Sequence, residues 1–527
     1  MTFAAPHKRL NWRTFWCCFF LSLGSFCYGY AASIISTTLG QPTFLSYMHL
    51  IDAQGNPAPN QAALTGTTVG LFCTGGCIGV LAASWSLDRI GRRPTMIVLV
   101  AIYILGTILV TASQNIGMFI VARTILGFGA VPFIAATSTY IAELSQAETR
   151  GFFTGLTGVA IAIGYTTAAL MGLAFSYTTN PDVQWRTPLG LSLVPSTALL
   201  AVLFWAPESP RYLLLKGRVE EAWQTVSRLH HDPQDENQEY IKEEFFQMRT
   251  QLEFDRTLDS SWFHLFSKPS YRKRMLMASL VTFLGQSTAV LVAAAYGPSL
   301  YASLGFNVKQ SLILQCGWIA GSIPAALIGV TLCDRFGRKP FIMAGYVGCV
   351  VSLVILTAME AVYAPTATNK VGLGWAVTAL YLIVIFYCLG VEACGAPFYC
   401  EIFPTHIRAK GVCFCVFVNS AANLLYLEVA PTALQNIGWR FLLVFICVLS
   451  VGSVLYWFWV PETRSVPLEE LAAIFGDTDE VKIYSTDITV MGDGQIAIEE
   501  HLGKRQGADV KVAAAKKGTE VVLHEKV

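Results

Sequence analysis

The chain has 527 residues, of which 54% are hydrophobic and only 13% are charged, and its formal net charge is +1. This composition excludes an ordinary soluble protein, in which about a quarter of the residues are charged, and the near-zero net charge indicates no nucleic-acid partner. The fourteen cysteines lie in or beside apolar segments without zinc-binding spacing, so we expect buried thiols and neither a metal nor a cofactor.

Twelve segments are apolar enough to cross a membrane, which takes about 20 mainly apolar residues each. The first follows Lys8, Arg9 and Arg13, but further long apolar segments come after it, so we interpret it as a first span and not as a signal peptide. The predicted spans are 14–32, 64–87, 94–113, 117–140, 152–175, 187–205, 275–298, 311–332, 341–361, 371–399, 412–434 and 441–460.

The polar segments between these spans divide the chain into five parts. Residues 1–13 precede the first span, and residues 14–205 form a first half of six spans. Residues 206–273 are rich in charge pairs at helical spacing and predict a small helical linker, in which His230-His231 is expected to be solvated. Residues 274–460 form the second half, and residues 461–527 are a tail expected to be mostly disordered after residue 476.

Basic residues predict the orientation of this multi-pass membrane protein. They cluster in the loops after even-numbered spans, as at Arg92-Arg93 and Arg338-Lys339, whereas residues 40–62 contain neither Lys nor Arg. Because short loops rich in Lys and Arg lie in the cytoplasm, we expect both termini and the linker on that side. The expected compartment is the plasma membrane.

Three charged motifs occur twice in the same order, once in each half. The matching pairs are Asp88 to Pro94 (DRIGRRP) with Asp334 to Pro340 (DRFGRKP), Glu143 and Arg150 with Glu401 and Arg408, and Pro207-Glu208-Ser209 with Pro461-Glu462-Thr463. Such repetition indicates two related halves. When related halves are embedded in a membrane, the pattern is typical of a transporter whose substrate site lies where the halves meet.

The chain resembles the sugar-porter family of the major facilitator superfamily, and fungal sugar permeases in particular, from about Leu10 to Gly476. The resemblance implies an all-α membrane protein with twelve transmembrane helices in two pseudo-symmetric six-helix halves, a cytoplasmic helical linker and transport by alternating access. It rests on the motifs Asp88 to Pro94, Arg123-x-x-x-Gly127-x-Gly129, Tyr140-x-x-Glu143, Arg150-Gly151, Pro207-Glu208-Ser209-Pro210-Arg211, Glu401-Ile402-Phe403-Pro404, Arg408-Ala409-Lys410-Gly411 and Pro461-Glu462-Thr463-Arg464.

The charged motifs predict a gating network at the cytoplasmic ends of the helices. In the family such networks latch that side shut, and here Arg92 or Arg93 would pair with Glu143 and Glu208. The alternative is that the basic residues only set the topology. The predicted network comprises Asp88, Arg92, Arg93, Arg123, Glu143, Arg150 and Glu208 in the first half, and Asp334, Arg338, Lys339, Glu401, Arg408 and Glu462 in the second.

One departure from the family pattern bears on proton coupling. The family usually has Gly-Tyr-Asp in the first span, and its Asp is a candidate for proton coupling, whereas this chain has Gly29-Tyr30-Ala31. Arg123, which that Asp would engage, is retained. Because an arginine at membrane depth costs about 2.5–3.5 kcal/mol, it should have another partner or a wet cavity. Ala31 therefore favours facilitative transport over proton symport.

The positions that would contact a sugar are altered as well. The family's Gln, Asn and Trp are replaced by Gly158, Leu291 and Ala396, while new acids appear in the predicted spans. A carboxylate within a membrane marks a functional site by default, although each could be hydrogen-bonded within the bundle, and Glu360 near a span end is expected to be structural. The predicted substrate-binding residues are Gln286, Glu392, Asn419, Asn423 and Glu428.

These observations predict a facilitative transporter of a small polar solute, a sugar or a sugar-like compound. One alternative is a proton-coupled symporter or exporter of a carboxylate, cationic or metabolite substrate, in which Glu392 or Glu428 titrates. Another is a nutrient sensor that binds without transporting. The expected partners are the solute and the lipid bilayer, with a monomer as the working unit. No P-loop, zinc-protease or nucleophile-elbow motif occurs, so we do not expect an enzyme.

Overall fold

The computed structural model describes residues 12–52, 54, 56–146, 149–230, 241–242, 245, 248–249, 261–363, 369–404, 407–462, 475, 488–490 and 496–498. Within these ranges the side chains of residues 150, 151, 330, 334, 396, 397, 400 and 409 are not described. Two members of the predicted charge network, Arg150 and Asp334, therefore have side chains outside the described part. Most of the tail predicted to be disordered also lies outside it.

The described residues of the first half form ten helices. Gly91 lies between α4 and α5 with a φ of +105°, a backbone conformation that glycine adopts most readily. The helices are α1 Trp12–Leu21, α2 Leu23–Leu39, α3 Pro42–Tyr47, α4 Gln61–Arg89, α5 Arg92–Thr111, α6 Ile116–Ala130, α7 Phe133–Leu144, α8 Arg150–Phe175, α9 Pro181–Gly190 and α10 Leu193–Trp205.

The segment predicted as a linker contains α11 Pro210–Leu215, α12 Val219–Leu229 and α13 Trp262–Ser267. Two hydrogen bonds attach the end of α12 to the first half: Thr14 Oγ1 donates to the Leu229 carbonyl at 2.6 Å, and His230 Nε2 lies 3.0 Å from the Leu144 carbonyl. His230 is only 2% exposed. The expectation that this histidine is solvated was therefore wrong, because its ring takes part in docking the linker.

The second half is also a bundle of crossing helices, and two of its crossings are not regular α-helix throughout. One is broken between Gln286 and Val290, and another contains a π-helical segment. The elements of the second half are α14 Pro269–Gln286, α15 Val290–Ser303, α16 Val308–Phe336, α17 Arg338–Tyr363, α18 Lys370–Phe386, a π-helical segment Tyr387–Glu392, α19 Ala393–Ile402, α20 Arg408–Ile437, a 3₁₀ turn Gly438–Arg440 and α21 Phe441–Trp459. In the tail, β1 Ile488–Val490 pairs antiparallel with β2 Ile496–Ile498.

The described residues contain eleven helical stretches long and apolar enough to cross a membrane. The last, Lys410–Trp459, has 50 residues and would extend about 75 Å, more than twice the hydrocarbon core, so it must cross twice. Gly438, with a φ of +53°, separates its two helices α20 and α21. The predicted all-α membrane fold with twelve crossing helices in two halves is thus confirmed.

The helices extend beyond the predicted spans. The first crossing covers Trp12–Leu39 instead of 14–32, because Ser33, Ser36, Thr37 and Thr38 continue the helix while being at most 2% exposed. Three of these hydroxyls find acceptors inside the bundle: Ser33 donates to the Tyr165 carbonyl, and Thr37 and Thr38 both donate to the Ile34 carbonyl. A prediction from hydropathy ends the span at such polar residues. In the structure the helix continues through them, because they are packed against other helices.

Glycines determine how closely the helices approach one another. A Cβ atom on Gly29 of α2 would lie 2.3 Å from the Ile161 carbonyl oxygen of α8, and one on Gly164 would lie 2.4 Å from the Phe26 carbonyl oxygen. Small residues allow this backbone-to-backbone contact in membranes. Between the two halves, α4 and α20 run antiparallel and make the most extensive contact in the bundle.

Candidate functional site

The first charged cluster joins α5 to α7 at the end of the bundle that bears the basic loops, which we call the basic end. Arg92 Nη2 donates to Glu143 Oε1 at 2.8 Å, and its Nε lies 2.8 Å from Glu143 Oε2. Ser209 Oγ also donates to Glu143. The two charged side chains are only 6% and 11% exposed, so this ion pair is shielded from solvent and from salt.

Glu208 is held differently from the side-chain pairs that the sequence suggested. Its carboxylate accepts the backbone N–H groups of Arg92 at 3.0 Å and Arg93 at 3.3 Å, at the N-terminus of α5. A helix N-terminus stabilises a negative charge. Burial nevertheless raises the pKa of Glu208 above its usual value. The Arg93 side chain instead donates to the carbonyls of Leu203 at 2.8 Å and Phe204 at 2.6 Å.

The second half repeats this arrangement. Arg338 Nη2 donates to Glu401 Oε1 at 2.9 Å, with the side chains 13% and 24% exposed. Glu462 accepts the backbone N–H groups of Arg338 at 2.9 Å and Lys339 at 3.0 Å, after Gly337 with its φ of +97°. The repeated motifs thus form two equivalent clusters at one end of the bundle.

The other predicted members of the network lie outside these ion pairs. Asp88 is exposed and interacts electrostatically with Arg92. Arg408 Nε donates to the Phe403 carbonyl at 3.4 Å. The Lys339 ammonium group lies 5.2 Å from the centroid of the Trp457 ring.

Arg123 is completely buried within the first half. Its Nη1 donates to the Ala31 carbonyl at 2.9 Å, and its guanidinium carbon lies 4.4 Å from the centroid of the Phe72 ring. Arg123 is therefore bound by the main chain at position 31, where the alanine side chain offers no acceptor. A desolvated cation–π contact contributes about 2 kcal/mol, which helps to offset the cost of burying this charge.

Gln286 lies at a break in the seventh crossing. α14 ends at this residue, Ala289 has a φ of +61°, and α15 begins at Val290. Discontinuous helices of this kind form substrate sites in transporters. Gln286 is 8% exposed, and its Oε1 is buried without a hydrogen-bond partner among the described residues. Its side chain lies close to that of Tyr387.

Glu392 is the last residue of the π-helical segment Tyr387–Glu392. One face of this segment packs tightly, because a Cβ atom on Gly390 would lie 2.8 Å from the Gly345 Cα of α17. Glu392 itself is exposed, and Cys388 Sγ donates to its Oε2 at 3.0 Å. π-Helical turns inside α-helices are frequent at functional sites, and this one presents an acid to the space between the halves.

Two tyrosines of the first half lie within electrostatic reach of Glu392, and the sequence analysis did not single them out. Tyr28 of α2 and Tyr165 of α8 interact electrostatically with each other and with Glu392. Tyr387 does so from the second half. The spacing of Tyr165 from Gly158 offered a clue, since residues seven apart share one helix face and Gly158 replaces a sugar-binding residue of the family.

The three remaining predicted site residues lie on α20. Asn419 and Asn423 are one turn apart, and Asn423 is 6% exposed with an Oδ1 that has no hydrogen-bond partner among the described residues. Glu428 is in the contact between α20 and α4, where Thr67 Oγ1 donates to its Oε1 at 2.8 Å. A Cβ atom on Gly70 would lie 2.0 Å from Glu428 Oε2. Glu428 is therefore an interface residue.

The two halves also meet at the end opposite the basic loops. A Cβ atom on Gly40 of α2 would lie 2.9 Å from Pro298 of α15, and the Lys309 ammonium group lies 4.8 Å from the centroid of the Tyr177 ring. Toward the basic end, Gly155 and Gly158 of α8 face open space, because a Cβ atom on either glycine would have no other atom within 4 Å.

Comparison with known proteins agrees with this architecture. Residues 17–475 match the family model described as sugar (and other) transporter. The MFS-type transporter criB of Aspergillus cristatus is 26% identical over 457 residues, covering 86% of this chain and 92% of the relative. The low-affinity glucose transporter HXT1 of Saccharomyces cerevisiae is 26% identical over 476 residues, covering 88% of this chain and 81% of the relative.

The fold is similar to that of the E. coli xylose transporter XylE. Its inward-open conformation superposes with a TM-score of 0.70 at 20% identity, covering 88% of this chain and 99% of XylE. The structure of the proton:xylose symporter XylE bound to 6-bromo-6-deoxy-D-glucose gives a TM-score of 0.72 at 19% identity with the same coverage. Since the family model spans nearly the whole membrane-embedded chain, the protein belongs to the sugar (and other) transporter family of the major facilitator superfamily.

Proposed function

We propose that this protein carries a small polar solute, a sugar or sugar-like compound, across the plasma membrane by facilitated diffusion as a monomer. The family and the fold support transport by alternating access between two halves. The relatives named as glucose and polyol transporters support the substrate class. The basic residues at one end of the bundle support a cytoplasmic location for that end and for both termini.

The contact of Arg123 with Ala31 is the observation that carries the facilitative mechanism. A symporter needs a group that gains and loses a proton as the protein changes state. Here the buried guanidinium is bound by a main-chain carbonyl, which cannot titrate, and by the Phe72 ring. No side chain at position 31 links the arginine to a proton, and the ion pairs among the described residues do not include Arg123.

The open face of α8 supports an entry path from the cytoplasm. Gly155 and Gly158 leave room along this helix, while Gly40 and Pro298 bring the halves together at the opposite end. A solute would therefore reach the residues between the halves from the basic end in this state. Release on the other side would require the contacts near Gly40 to open.

Uptake by transporter-null cells expressing the full chain tests this proposal. We expect saturable uptake of at least one member of a radiolabelled panel of hexoses, disaccharides and polyols, reaching but not exceeding the external concentration. A protonophore should leave the initial rate unchanged, because no coupled proton is required. Accumulation that collapses with the protonophore would contradict facilitated diffusion and would favour the proton-coupled alternative, with Glu428 or Glu392 as the titrating group.

A further inference from the structure

We propose that Gln315 of α16 is a positioning residue for transport, which holds α15 where Pro298 meets Gly40 and thereby keeps the end opposite the basic loops shut. This role rests on the proposed transport function and regulates it, because a solute leaves only on the side that is open. A proline inside a crossing helix and a fully buried amide beside it are the features that point to this role.

Pro298 leaves one carbonyl of α15 without its helical donor. The proline lies inside the 14-residue helix Val290–Ser303. A carbonyl in a regular α-helix accepts the N–H group four residues further along the chain, but proline has no N–H. The Ala294 carbonyl therefore cannot receive that hydrogen bond. Within a membrane such a carbonyl needs a donor from a neighbouring helix, because no water is present to supply one.

The Gln315 side chain supplies this donor. Its Nε2 donates to the Ala294 carbonyl at 3.1 Å and to the Ala293 carbonyl at 3.4 Å. Both partners are carbonyl oxygens, which only accept, so the nitrogen of the amide and not its oxygen must face them. Gly297 makes the approach possible, because a Cβ atom there would overlap the Gln315 amide. The glycine thus admits the amide, and the proline leaves it an acceptor.

The other atom of the amide indicates that donation to α15 is what this residue contributes. Gln315 is 0% exposed, and its Oε1 has no hydrogen-bond partner among the described residues. An unpaired buried acceptor is unfavourable, and an apolar side chain at this position would avoid it. An apolar side chain would, however, give the Ala294 carbonyl no donor. The amide is therefore favourable here through the bonds that it donates to α15.

α16 is itself fixed to α18 on both sides of Gln315. The Tyr381 hydroxyl donates to the Leu314 carbonyl at 2.7 Å, and Trp318 Nε1 donates to the Leu380 carbonyl at 2.9 Å. Gln315 therefore connects α15 to two helices of the second half that are already joined to each other.

α15 depends on such attachments because the break in the seventh crossing separates it from α14. Tyr296 gives it one further attachment, since its hydroxyl donates to the Leu427 carbonyl of α20 at 2.8 Å. Loss of the Gln315 bonds should therefore loosen α15 without detaching it. Pro298 would then move away from Gly40 more often, and the end opposite the basic loops would be open for a larger fraction of the time.

Gln315→Met tests this role, because methionine has a similar length but donates no hydrogen bond. We expect it to lower initial uptake about fivefold at equal surface expression. Spin labels at Ser46→Cys of α3 and Ser303→Cys of α15, both exposed positions, measure the distance across this end in the purified full-length protein. Reactive native cysteines are first replaced. The parent should give one short distance, and Gln315→Met should add a longer one.

Pro298→Ala is the partner variant that isolates the pairing. It provides an N–H group at residue 298, so the Ala294 carbonyl gains a helical donor and no longer depends on Gln315. Added to Pro298→Ala, Gln315→Met should change uptake and the population of the longer distance by less than about twofold. An equal effect of Gln315→Met with and without the proline would overturn the pairing. If Gln315→Met alone does not reach the membrane, recovery in the double variant supports the pairing, and its failure to recover overturns it.

Trp318→Phe is the matched control, since it removes a hydrogen bond that leads from the same helix to α18 and not to α15. It should keep the parental distance. The same longer distance in Trp318→Phe and Gln315→Met, or parental distances in Gln315→Met, would overturn the positioning role. The distance measurement needs no substrate. Absence of saturable uptake of every solute tested would therefore overturn the proposed transport function separately, whatever the distances are.

Discussion

The Gly66→Val substitution is expected to reduce uptake by about tenfold or more at equal surface expression. A Cβ atom at position 66 would lie 2.2 Å from the Glu428 carbonyl oxygen, across the interface of α4 and α20. Because that oxygen belongs to the main chain, the helices themselves must separate. Overpacking of this kind costs about 1–3 kcal/mol, and about 1.4 kcal/mol already shifts a two-state population tenfold.

Gly158→Ala is the matched control, since a Cβ atom there meets no other atom within 4 Å. We expect it to reach the membrane as the parent does and to fold with unchanged thermal stability. Labelling of single cysteines at the end opposite the basic loops measures whether Gly66→Val holds that end open. Parental uptake and parental labelling in Gly66→Val cells would show that α4 and α20 need not approach this closely during transport.

Replacing the arginine of an ion pair is expected to lower the stability of the protein more when the remaining carboxylate is more deeply buried. Arg92→Gln leaves Glu143 11% exposed and without its ion-pair partner, which costs about 3–5 kcal/mol for a buried pair. Arg338→Gln should cost less, because Glu401 is 24% exposed. Arg218→Gln should be silent, since both side chains of the Arg218–Glu221 pair are about half exposed and solvent-exposed pairs add little to stability.

Thermal unfolding of the purified variants and cysteine labelling at the basic end measure this order. We expect Arg92→Gln to be the least stable, to label most rapidly at the basic end and to lose most of its uptake. Combining it with Glu143→Gln should recover part of the stability, because the unpaired charge is removed. If Arg92→Gln and Arg218→Gln were equally stable and equally active, the Arg92–Glu143 pair would be only a topology determinant.

Sequence reasoning identified which charges recur but not how each one is held. Arg92 and Glu143 are together in the structure, as are Arg338 and Glu401, because the motifs place them on neighbouring helix ends. Glu208 was predicted to pair with the side chain of Arg92 or Arg93, whereas its carboxylate accepts main-chain N–H groups at the start of α5. That contact depends on the positive φ of Gly91, which a charge pattern does not report.

The candidate substrate site was less accessible to sequence reasoning than the fold. Apolar length predicts a crossing helix, but it does not reveal the break after Gln286 or the π-helical segment that ends at Glu392. The tyrosines around Glu392 come from three helices of two halves, so only tertiary structure brings them together. The roles of Gln286, Asn419, Asn423, Glu392 and Glu428 in binding stay predictions.

The break after Gln286 also changes how the opposite end can shut. α15, the 14-residue piece beyond the break, carries Pro298 against Gly40, while α14 packs among the helices of the second half. Because Ala289 interrupts the helix with a left-handed residue, α15 can tilt as a short lever without carrying α14 with it. We therefore expect trapping of the solute and rotation of the two halves to be separate steps, with the solute occluded before the larger motion begins.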